Sequence, residues 1–167
     1  MGEIRFIVDI NVARLAHWLR MMGYDTLLFT GEDDGQMLRT ALEQDRVILT
    51  KDSEFLKRRL ITGGKVKALF TGGDDPEKQL KHVVETFKLD YNHRPFTICL
   101  ECNSPLVSIS REQVKGRVPP HVYKTHEAYM ECPSCHRVYW QGTHWDAMTG
   151  ELDRFTGKRI RKKVDKE

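Results

Sequence analysis

The sequence predicts an α/β protein in which a parallel sheet flanked by helices is followed by a smaller, β-rich zinc ribbon. Short apolar runs alternate with amphipathic segments up to residue 90, and the segment YNHRP at 91–95 then interrupts the alternation. Two Cys-x-x-Cys pairs follow this break. We therefore expect a first domain at residues 1–92, a zinc ribbon at 93–150 and a basic C-terminal tail at 151–167.

The first domain is expected to contain four parallel strands covered by helices. The short apolar run at residues 4–8 suits a strand buried on both faces, and three further strands are predicted at 25–29, 46–49 and 66–70. The predicted helices are one capped by Asn11 and ended by Gly23, one at about 34–43, one at Ser53–Arg59, and one at 76–88 opened by Pro76. Strands that alternate with helices favour right-handed crossovers and parallel pairing.

The composition favours a protein of the reducing cytoplasm. Hydrophobic residues make up 40% of the chain and charged residues 31%, and no run approaches the roughly 20 apolar residues of a membrane helix. The N-terminus lacks the basic, apolar and cleavage regions of a secretory signal. We expect no membrane partner, and in this compartment paired cysteines hold metal more often than they form disulfides.

The net charge of +3 is concentrated in the tail. Residues 154–167 contain seven Lys or Arg and two Asp or Glu, so the rest of the chain has a small negative formal charge. A basic run of this kind binds phosphates by counterion release, and a solvated terminus without a partner is the alternative. The phosphate contacts predicted in the tail are Arg159, Arg161, Lys162 and Lys163.

Four cysteines have the spacing of a structural zinc site. Cys99 and Cys102 form one pair, and Cys132 and Cys135 form a second pair 29 residues later. Each pair forms a tight turn that directs two sulfurs at one point, and two such turns complete the tetrahedral tetrathiolate that zinc prefers. The alternatives are unrelated cysteines or a redox pair. Since four protein ligands leave no open position, the expected role of the zinc ion is structural.

Acidic residues follow the predicted strands at the edge where ligands bind in open parallel sheets. Asp9 follows the first strand, Asp34 opens the second helix, Asp52 follows the third strand, and Asp74 follows the fourth. Converging carboxylates repel one another, and Mg²⁺ or Mn²⁺ relieves that repulsion. The alternative is that each acid only caps a helix. This alternative is strongest for Asp74, because the sequence DDP is typical of a helix start.

Basic residues beside this edge are candidate phosphate ligands. Arg14, His17 and Arg20 lie on the polar arc of the first helix, opposite the apolar arc, and Lys51 precedes Asp52. The alternative for the three helical residues is a solvated helix face, which their spacing alone favours.

The combination of motifs resembles the Mut-seven C-terminal RNase domain family, a branch of the PIN-like nucleases that carries a zinc ribbon. The matching stretches are DINVARLAHWLRMMGYD at 9–25, DGQMLRTA at 34–41, RVILTKD at 46–52, CLECN at 99–103, CPSC at 132–135 and VYWQGTHW at 138–145. The resemblance implies a PIN-like fold, Mg²⁺ or Mn²⁺ as the catalytic ion, and RNA as the substrate. It assigns the catalytic acids to Asp9, Asp34 and Asp52, and Asp74 is a candidate for a fourth.

The resemblance makes a metal-dependent ribonuclease the leading functional prediction. A non-catalytic RNA-binding module with the same fold is the alternative. A phospho-receiver is disfavoured because Ile10, not a second acid, follows Asp9, and a dinucleotide enzyme is disfavoured because no GxGxxG follows the first strand. No small-molecule cofactor is expected. Trp140, His144 and Trp145 either stack on bases or pack the ribbon, and packing is the favoured interpretation.

Overall fold

The computed structural model describes residues 2–157, which divide into two compact units. The first unit contains residues 2–20 and 24–90, and the second contains residues 21–23 and 91–157. Among residues 2–157, none of the helices has both the length and the apolar composition that a membrane span needs. Four predicted phosphate ligands lie outside the described residues: Arg159, Arg161, Lys162 and Lys163.

The first unit is built on a parallel sheet, as the sequence predicts. Its strands are β1 (Arg5–Asp9), β2 (Thr26–Phe29), β3 (Arg46–Thr50) and β4 (Ala68–Phe70). They pair in the order β2-β1-β3-β4, and every pair is parallel. The two central strands, β1 and β3, are the most buried, in keeping with their continuous apolar sequences.

Four α-helices connect and cover these strands. They are α1 (Arg14–Met21), α2 (Asp34–Gln44), α3 (Arg59–Thr62) and α4 (Pro76–Phe87). Asp33 caps α2 by accepting a hydrogen bond from the N–H of Gly35, and Asp75 caps α4 in the same way through the N–H of Glu77. The predicted opening of α4 at Pro76 is confirmed.

Two predicted helices differ in detail. A 3-10 turn, Ile10–Val12, follows β1 before α1 begins, so Asn11 lies inside that turn and its prediction as the helix cap is wrong. Its side-chain oxygen instead lies 3.5 Å from the backbone nitrogen of Lys51. The segment predicted as one helix from residue 53 contains a 3-10 turn at Phe55–Lys57 and then α3.

Helices pack on both faces of the sheet. On one face, Ile7 and Ile48 lie in register on β1 and β3 and pack with Met37 and Leu38 of α2. On the other face, the ring of Phe6 contacts aromatic side chains edge to face, with centroids 6.2 Å from that of Tyr24 and 5.7 Å from that of Phe87. This arrangement confirms the predicted α/β class.

The second unit contains a three-stranded antiparallel sheet in the order β5-β6-β7. The strands are β5 (Val107–Ile109), β6 (Tyr129–Glu131) and β7 (Val138–Tyr139). Two short helices, α5 (Arg111–Val114) and α6 (Pro120–Thr125), lie between β5 and β6, and their apolar residues pack on Ile109 and Tyr129. The long helix α7 (Thr143–Thr156) runs past residue 150, where the sequence predicted the ribbon to end.

Candidate functional site

The strand order places Asp9 and Thr50 on either side of a topological switch point. The chain leaves β1 for β2 on one side, and it then crosses to β3 on the other side of β1. The connections at the carboxyl ends of β1 and β3 therefore run in opposite directions, which leaves the crevice in which open α/β sheets bind their ligands. Asp9 is the last residue of β1, and Thr50 is the last residue of β3.

A buried hydroxyl joins the two strand ends. The side chain of Thr50, which is fully buried, donates a hydrogen bond to Oδ2 of Asp9 at 2.8 Å. The same hydroxyl accepts a hydrogen bond from the backbone N–H of Asp52 at 3.0 Å. Thr50 therefore fixes both the Asp9 carboxylate and the backbone from which the Asp52 side chain extends.

Asp52 makes cap-like hydrogen bonds to the turn that follows it, although Glu54 holds the cap position of that turn, whereas Asp9 makes none. Oδ1 of Asp52 accepts hydrogen bonds from the backbone N–H groups of Glu54 at 3.0 Å and Phe55 at 3.1 Å. Within the described residues, its other carboxylate oxygen forms no hydrogen bond. Asp9 occupies the cap position of the 3-10 turn but makes no side-chain cap hydrogen bond. These hydrogen bonds do not exclude metal binding by Asp52, because they orient its carboxylate and leave the second oxygen available.

Asp34 is the first residue of α2 but not its cap, since Asp33 takes that position. Its Oδ2 lies 3.6 Å from Nη2 of Arg58, and the Asp34 side chain is 48% exposed. The carboxylate of Asp34 is thus partly solvated and balanced by a cation that the sequence patterns did not single out.

Asp74 lies on the surface beside the end of β4. Its side chain is 97% exposed, and its Oδ1 lies 3.4 Å from Nζ of Lys51. The neighbouring Asp75 is the cap of α4. Lys51 and Asp74 therefore form an exposed ion pair, a kind of contact that contributes little to stability.

The donor set suits a hard divalent cation in its chemistry, since every candidate ligand is a carboxylate oxygen. In residues 2–157, the only group of three or more His, Cys, Asp or Glu residues with all ligand atoms within 4.8 Å of one another is that of the four cysteines. At least one pair among the carboxylates of Asp9, Asp34 and Asp52 is therefore separated by more than 4.8 Å. Mg²⁺ usually keeps several waters and is held directly by only one or two carboxylates, so this spacing is compatible with an ion bound partly through water.

The basic residues of α1 divide between surface and core. Arg14 and His17 are exposed, and the Arg14 guanidinium lies 4.9 Å from the centroid of the Trp18 ring. Arg20 is only 5% exposed, and its Nε donates a hydrogen bond to the carbonyl of Thr26 at 2.9 Å. The predicted exposed position of Arg20 is therefore wrong. This residue ties α1 to the start of β2, and its burial does not fit a phosphate contact.

The second unit presents a separate candidate metal centre, built from two turns with the same geometry. One turn runs from Cys99 to Ser104 and the other from Cys132 to Arg137. In both, the N–H of the first residue donates to the carbonyl of the last at 2.9 Å, and the N–H of the second cysteine lies 3.4 Å from the Sγ of the first. The repeated geometry directs the sulfurs of each turn to one side.

A left-handed residue completes each turn. Asn103 has φ of 64° and His136 has φ of 62°. Their N–H groups donate to the carbonyls of Cys99 at 2.9 Å and Cys132 at 2.8 Å. Asn and His are among the non-glycine residues that tolerate this conformation best, which explains their place directly after each Cys-x-x-Cys pair.

The four sulfurs are spaced as zinc requires. They all lie within 4.8 Å of one another, and the sulfurs of Cys99 and Cys135 are 3.8 Å apart. In a tetrahedral site with Zn–S bonds of about 2.3 Å, neighbouring sulfurs are about 3.8 Å apart. These residues therefore fit a zinc ion in both ligand type and spacing.

Hydrogen bonds affect the cysteines of this cluster differently: they favour the thiolate of Cys132, whereas a hydrogen bond with Cys135 raises the pKa of Cys102 to about 12. Burial alone would raise the pKa of Cys132, but hydrogen bonds from the backbone of Cys135 and Ser134, with those from neighbouring thiols, lower that pKa to about 7. The hydroxyl of Tyr139 lies 3.0 Å from the sulfur of Cys99. Burial and this sulfur raise the pKa of Tyr139, so that its hydroxyl stays protonated and can donate to the sulfur.

The aromatic residues after the second turn have different environments. Trp145 is only 5% exposed, and its ring packs edge to face on Phe96 with centroids 4.6 Å apart. Trp140 is half-buried beside the core of the second unit. His144 lies in α7, and its side chain is outside the described part of the structure. Trp145 therefore has a packing role within its own unit.

Sequence reasoning missed two residues that shape the strand-end site. Thr50 belongs to the matching stretch RVILTKD but was not predicted as a site residue. A hydroxyl two residues before an acid at a strand end could have suggested that Thr50 connects Asp9 and Asp52. Arg58 belongs to a basic run whose contact with Asp34 depends on tertiary structure, so no local pattern identifies it.

Comparison with protein-family models matched residues 4–152 to the Mut7-C RNAse domain. The matched span contains the strand-end acids of the first unit and all four cysteines of the second. Comparison with curated proteins gave no significant match.

Proposed function

The chain belongs to the Mut7-C RNAse domain family, and from this premise we propose that it is a ribonuclease that hydrolyses RNA phosphodiester bonds with Mg²⁺ or Mn²⁺. The observation that carries the proposal is the hydrogen-bonded connection of Asp9, Thr50 and Asp52 at the switch point of the sheet. This is the position at which an open parallel sheet binds its ligands.

The divalent ion would be held by Asp9 and Asp52, and Asp34 is proposed as a third ligand. Such an ion lowers the pKa of bound water and stabilises negative charge on a phosphate. The buried hydroxyl of Thr50 holds the Asp9 carboxylate in a fixed orientation, and the turn after β3 does the same for Asp52. A preformed arrangement of this kind limits the reorganisation that the reaction requires.

Cations beside the acids offer a means of attracting the substrate. Within residues 2–157, Lys51 pairs only with the exposed Asp74, at 3.4 Å, so its ammonium group can exchange this weak pair for an RNA phosphate. Arg14 and His17 present exposed side chains on α1 and remain proposed RNA contacts. Asp74 remains a proposed further ligand of the ion. Its carboxylate would become available when Lys51 moves from Asp74 to the RNA.

We further propose that the four cysteines hold one structural zinc ion. The four sulfurs would take all the tetrahedral positions of the ion and would leave none for water or substrate. The zinc ion would stabilise the second unit, while the chemical step would belong to the carboxylates of the first.

A non-catalytic RNA-binding protein is the second candidate. It is favoured by the spacing of the carboxylates, since no three acids within residues 2–157 bring their oxygens within 4.8 Å of one another. It is also favoured by the exposed position of Asp74, the candidate fourth acid.

An RNA cleavage assay with Asn variants separates the two candidates. In the presence of Mn²⁺ or Mg²⁺, we expect the wild type to cleave RNA and Asp9→Asn or Asp52→Asn to lose activity by orders of magnitude, because each removes a ligand charge while keeping the side-chain shape. Asp45→Asn is the matched control: Asp45 is an exposed, left-handed residue at the end of α2, where Asn is well tolerated.

Two results would contradict the proposal. Cleavage by Asp52→Asn at the wild-type rate would show that the site is wrongly assigned. RNA binding by the wild type without cleavage under any divalent ion would favour the non-catalytic candidate.

A further inference from the structure

The second unit contains a pocket that the proposed reaction does not use. Its volume is about 460 Å³, within the range of about 300–1,000 Å³ that is usual for ligand sites. Its lining comes from the first cysteine turn, the segment around α6, strand β7 and the start of α7. The lining combines aromatic rings with basic side chains, so the chemistry of a ligand can be inferred from it.

The aromatic part of the lining is held in place by packing. Tyr139 and Trp140 are half-buried, which leaves part of each ring accessible from the pocket. Trp145 is almost fully buried and fixed against Phe96. At Gly142, an added Cβ would lie 2.6 Å from Nε1 of Trp140, so only glycine allows the indole to lie this close to the backbone. A ring held in this way can stack on a flat ligand with little loss of conformational freedom.

The basic part of the lining consists of Arg117, Arg137 and His121. Nη2 of Arg117 donates to Oε1 of Glu131 at 2.9 Å and to the carbonyl of His136 at 3.0 Å, so this guanidinium is oriented and partly neutralised. Arg137 is exposed, and the described residues offer it no ion pair. Glu101 adds one carboxylate to the lining. Arg137 is thus the cation best placed to take a phosphate.

We propose that this pocket binds one nucleotide of single-stranded RNA, with its base stacked on Trp140 and a neighbouring phosphate on Arg137. The choice of RNA as the ligand rests on the proposed function, whereas the pocket and its chemistry do not. Stacking on aromatic rings combined with phosphate contacts to basic side chains is how proteins bind single strands without requiring one sequence. A duplex conceals the faces of its bases and fits this pocket poorly. The second unit therefore acts as a substrate-holding module as well as a zinc-stabilised one.

Binding of a labelled oligonucleotide tests the inference. The probe is a fluorescein-labelled uridine 12-mer, and its affinity is measured by fluorescence anisotropy without added Mg²⁺ or Mn²⁺. The protein is the full-length, zinc-loaded chain carrying Asp52→Asn, so that the probe stays intact. We expect Trp140→Leu to weaken binding roughly tenfold and Trp140→Phe to retain most of the affinity, because stacking needs a ring but not an indole.

The charge contact has its own matched control. Arg137→Gln should weaken binding and reduce the slope of log affinity against log salt by roughly 0.7, the value for one phosphate contact on a single strand. Lys124→Gln makes the same charge change at an exposed residue of α6 outside the lining, and we expect it to leave both quantities unchanged. Zinc content and near-ultraviolet circular dichroism confirm that each variant is folded.

The possible failures can be told apart. Wild-type affinity in both Trp140→Leu and Arg137→Gln would overturn the inference, and so would equally tight binding of a duplex of the same length. If the wild type cleaves RNA but these variants bind normally, only the pocket is wrongly assigned. If the variants lose binding but the wild type never cleaves RNA, the pocket stands and the proposed reaction fails.

Discussion

Thr50 shows how one buried residue can organise a site whose acidic residues are partly or fully exposed. It accepts a hydrogen bond from the N–H of Asp52 and donates one to Asp9, so its hydroxyl is satisfied in both directions. We expect Thr50→Val to destabilise the first unit by about 1–3 kcal/mol, because the shape is kept while a buried N–H is left without its acceptor. RNA cleavage should fall as well, since the hydrogen bond that orients the Asp9 carboxylate is lost.

Thr50→Ser is the control for this prediction, because it keeps the hydroxyl and removes only a methyl group. Urea unfolding and the cleavage rate at saturating RNA are the two measurements. If the Val and Ser variants cleave RNA equally fast, the hydroxyl has no positioning role. Equal free energies of unfolding for the two variants would show that water takes over the hydrogen bonds of the hydroxyl.

The buried Tyr24 should make the free energy of unfolding of the first unit decrease with rising pH in the alkaline range. Burial raises the pKa of Tyr24 above its ordinary value of 10.0, although a hydrogen bond from the N–H of Asp90 opposes this effect. A raised folded-state pKa means that the stabilisation is complete below the unfolded pKa and is lost as the pH rises through the folded pKa. The free energy of unfolding should therefore fall above about pH 10, and it should fall less steeply in Tyr24→Phe.

Urea titrations at several pH values from about 8 to 11 would measure this difference. Tyr129 also has a pKa raised by burial and lies in the second unit, so Tyr129→Phe shows whether the effect belongs to Tyr24 in particular. Parallel pH profiles for the wild type and Tyr24→Phe would contradict the prediction.

The residue with positive φ in each cysteine turn can be replaced without strain only by residues that tolerate the left-handed conformation. His136 has φ of 62°, a conformation that β-branched residues adopt only with strain. We expect His136→Val to destabilise the zinc-loaded second unit by about 1–2 kcal/mol relative to His136→Gly. Both variants remove the imidazole, which lies 3.4 Å from Glu131, so the comparison isolates the backbone. Thermal unfolding of the two variants measures it, and equal midpoints would show that the turn relaxes.

The elements of the first unit follow closely from the sequence because their apolar periodicity is strong. The four strands and the helices α1, α2 and α4 depend on local patterns and caps. There are two exceptions. Asn11 contacts Lys51, which follows the neighbouring strand, so no local pattern contains this contact. The segment predicted as one helix from residue 53 forms a 3-10 turn and then α3.

The helices of the second unit did not follow from the sequence. The helix α5 spans only four residues, too few for an apolar period to be visible, although its capping box at Ser110 and Gln113 was a usable signal. The helix α7 did carry a signal, because the buried residues Trp145, Thr149 and Leu152 are spaced by four and three positions. Gly150 and the threonines of this helix are poor helix formers, and packing of the buried face outweighs their effect.

The candidate ligands of both sites were visible in the sequence, but the residues that contact the acids were not. Acids at strand ends and paired cysteines are visible as patterns because the fold brings strand ends and turns together by rule. The partners of those acids, Thr50, Lys51 and Arg58, depend on which strands and helices become neighbours, and the sequence alone leaves that open.

For the whole molecule, zinc should determine the stability of one unit and not of the other. The metal-binding free energy of a structural zinc site is largely folding free energy. We therefore expect Cys102→Ser, or chelation of the zinc, to unfold the second unit while residues 24–90 keep their protection against hydrogen exchange. Ser134→Ala is the control, because it changes the same pair of turns and keeps all four sulfurs. About one zinc per chain should be present in the wild type, and a protein without zinc, or with iron in its place, would contradict this prediction.

The distribution of charge along the chain leads to a prediction about RNA affinity. Residues 158–167 contain six Lys or Arg and two Asp or Glu, whereas the chain as a whole has a net charge of +3, so the remaining residues are close to neutral and slightly acidic. The proposed active edge carries carboxylates that repel RNA. A cationic segment offsets that repulsion and raises the rate of encounter.

Deleting residues 158–167 should therefore weaken RNA binding without changing the cleavage rate at saturating RNA. The deletion keeps Gly157, which ends α7 in a left-handed conformation, so the helix stays capped. The slope of log affinity against log salt should become shallower by roughly 0.7 for each RNA phosphate that the segment binds. An uncharged Gly/Ser replacement of the same length should behave like the deletion, because the effect depends on charge and not on chain length. If the full-length and shortened proteins give equal salt slopes, the basic segment does not contact RNA.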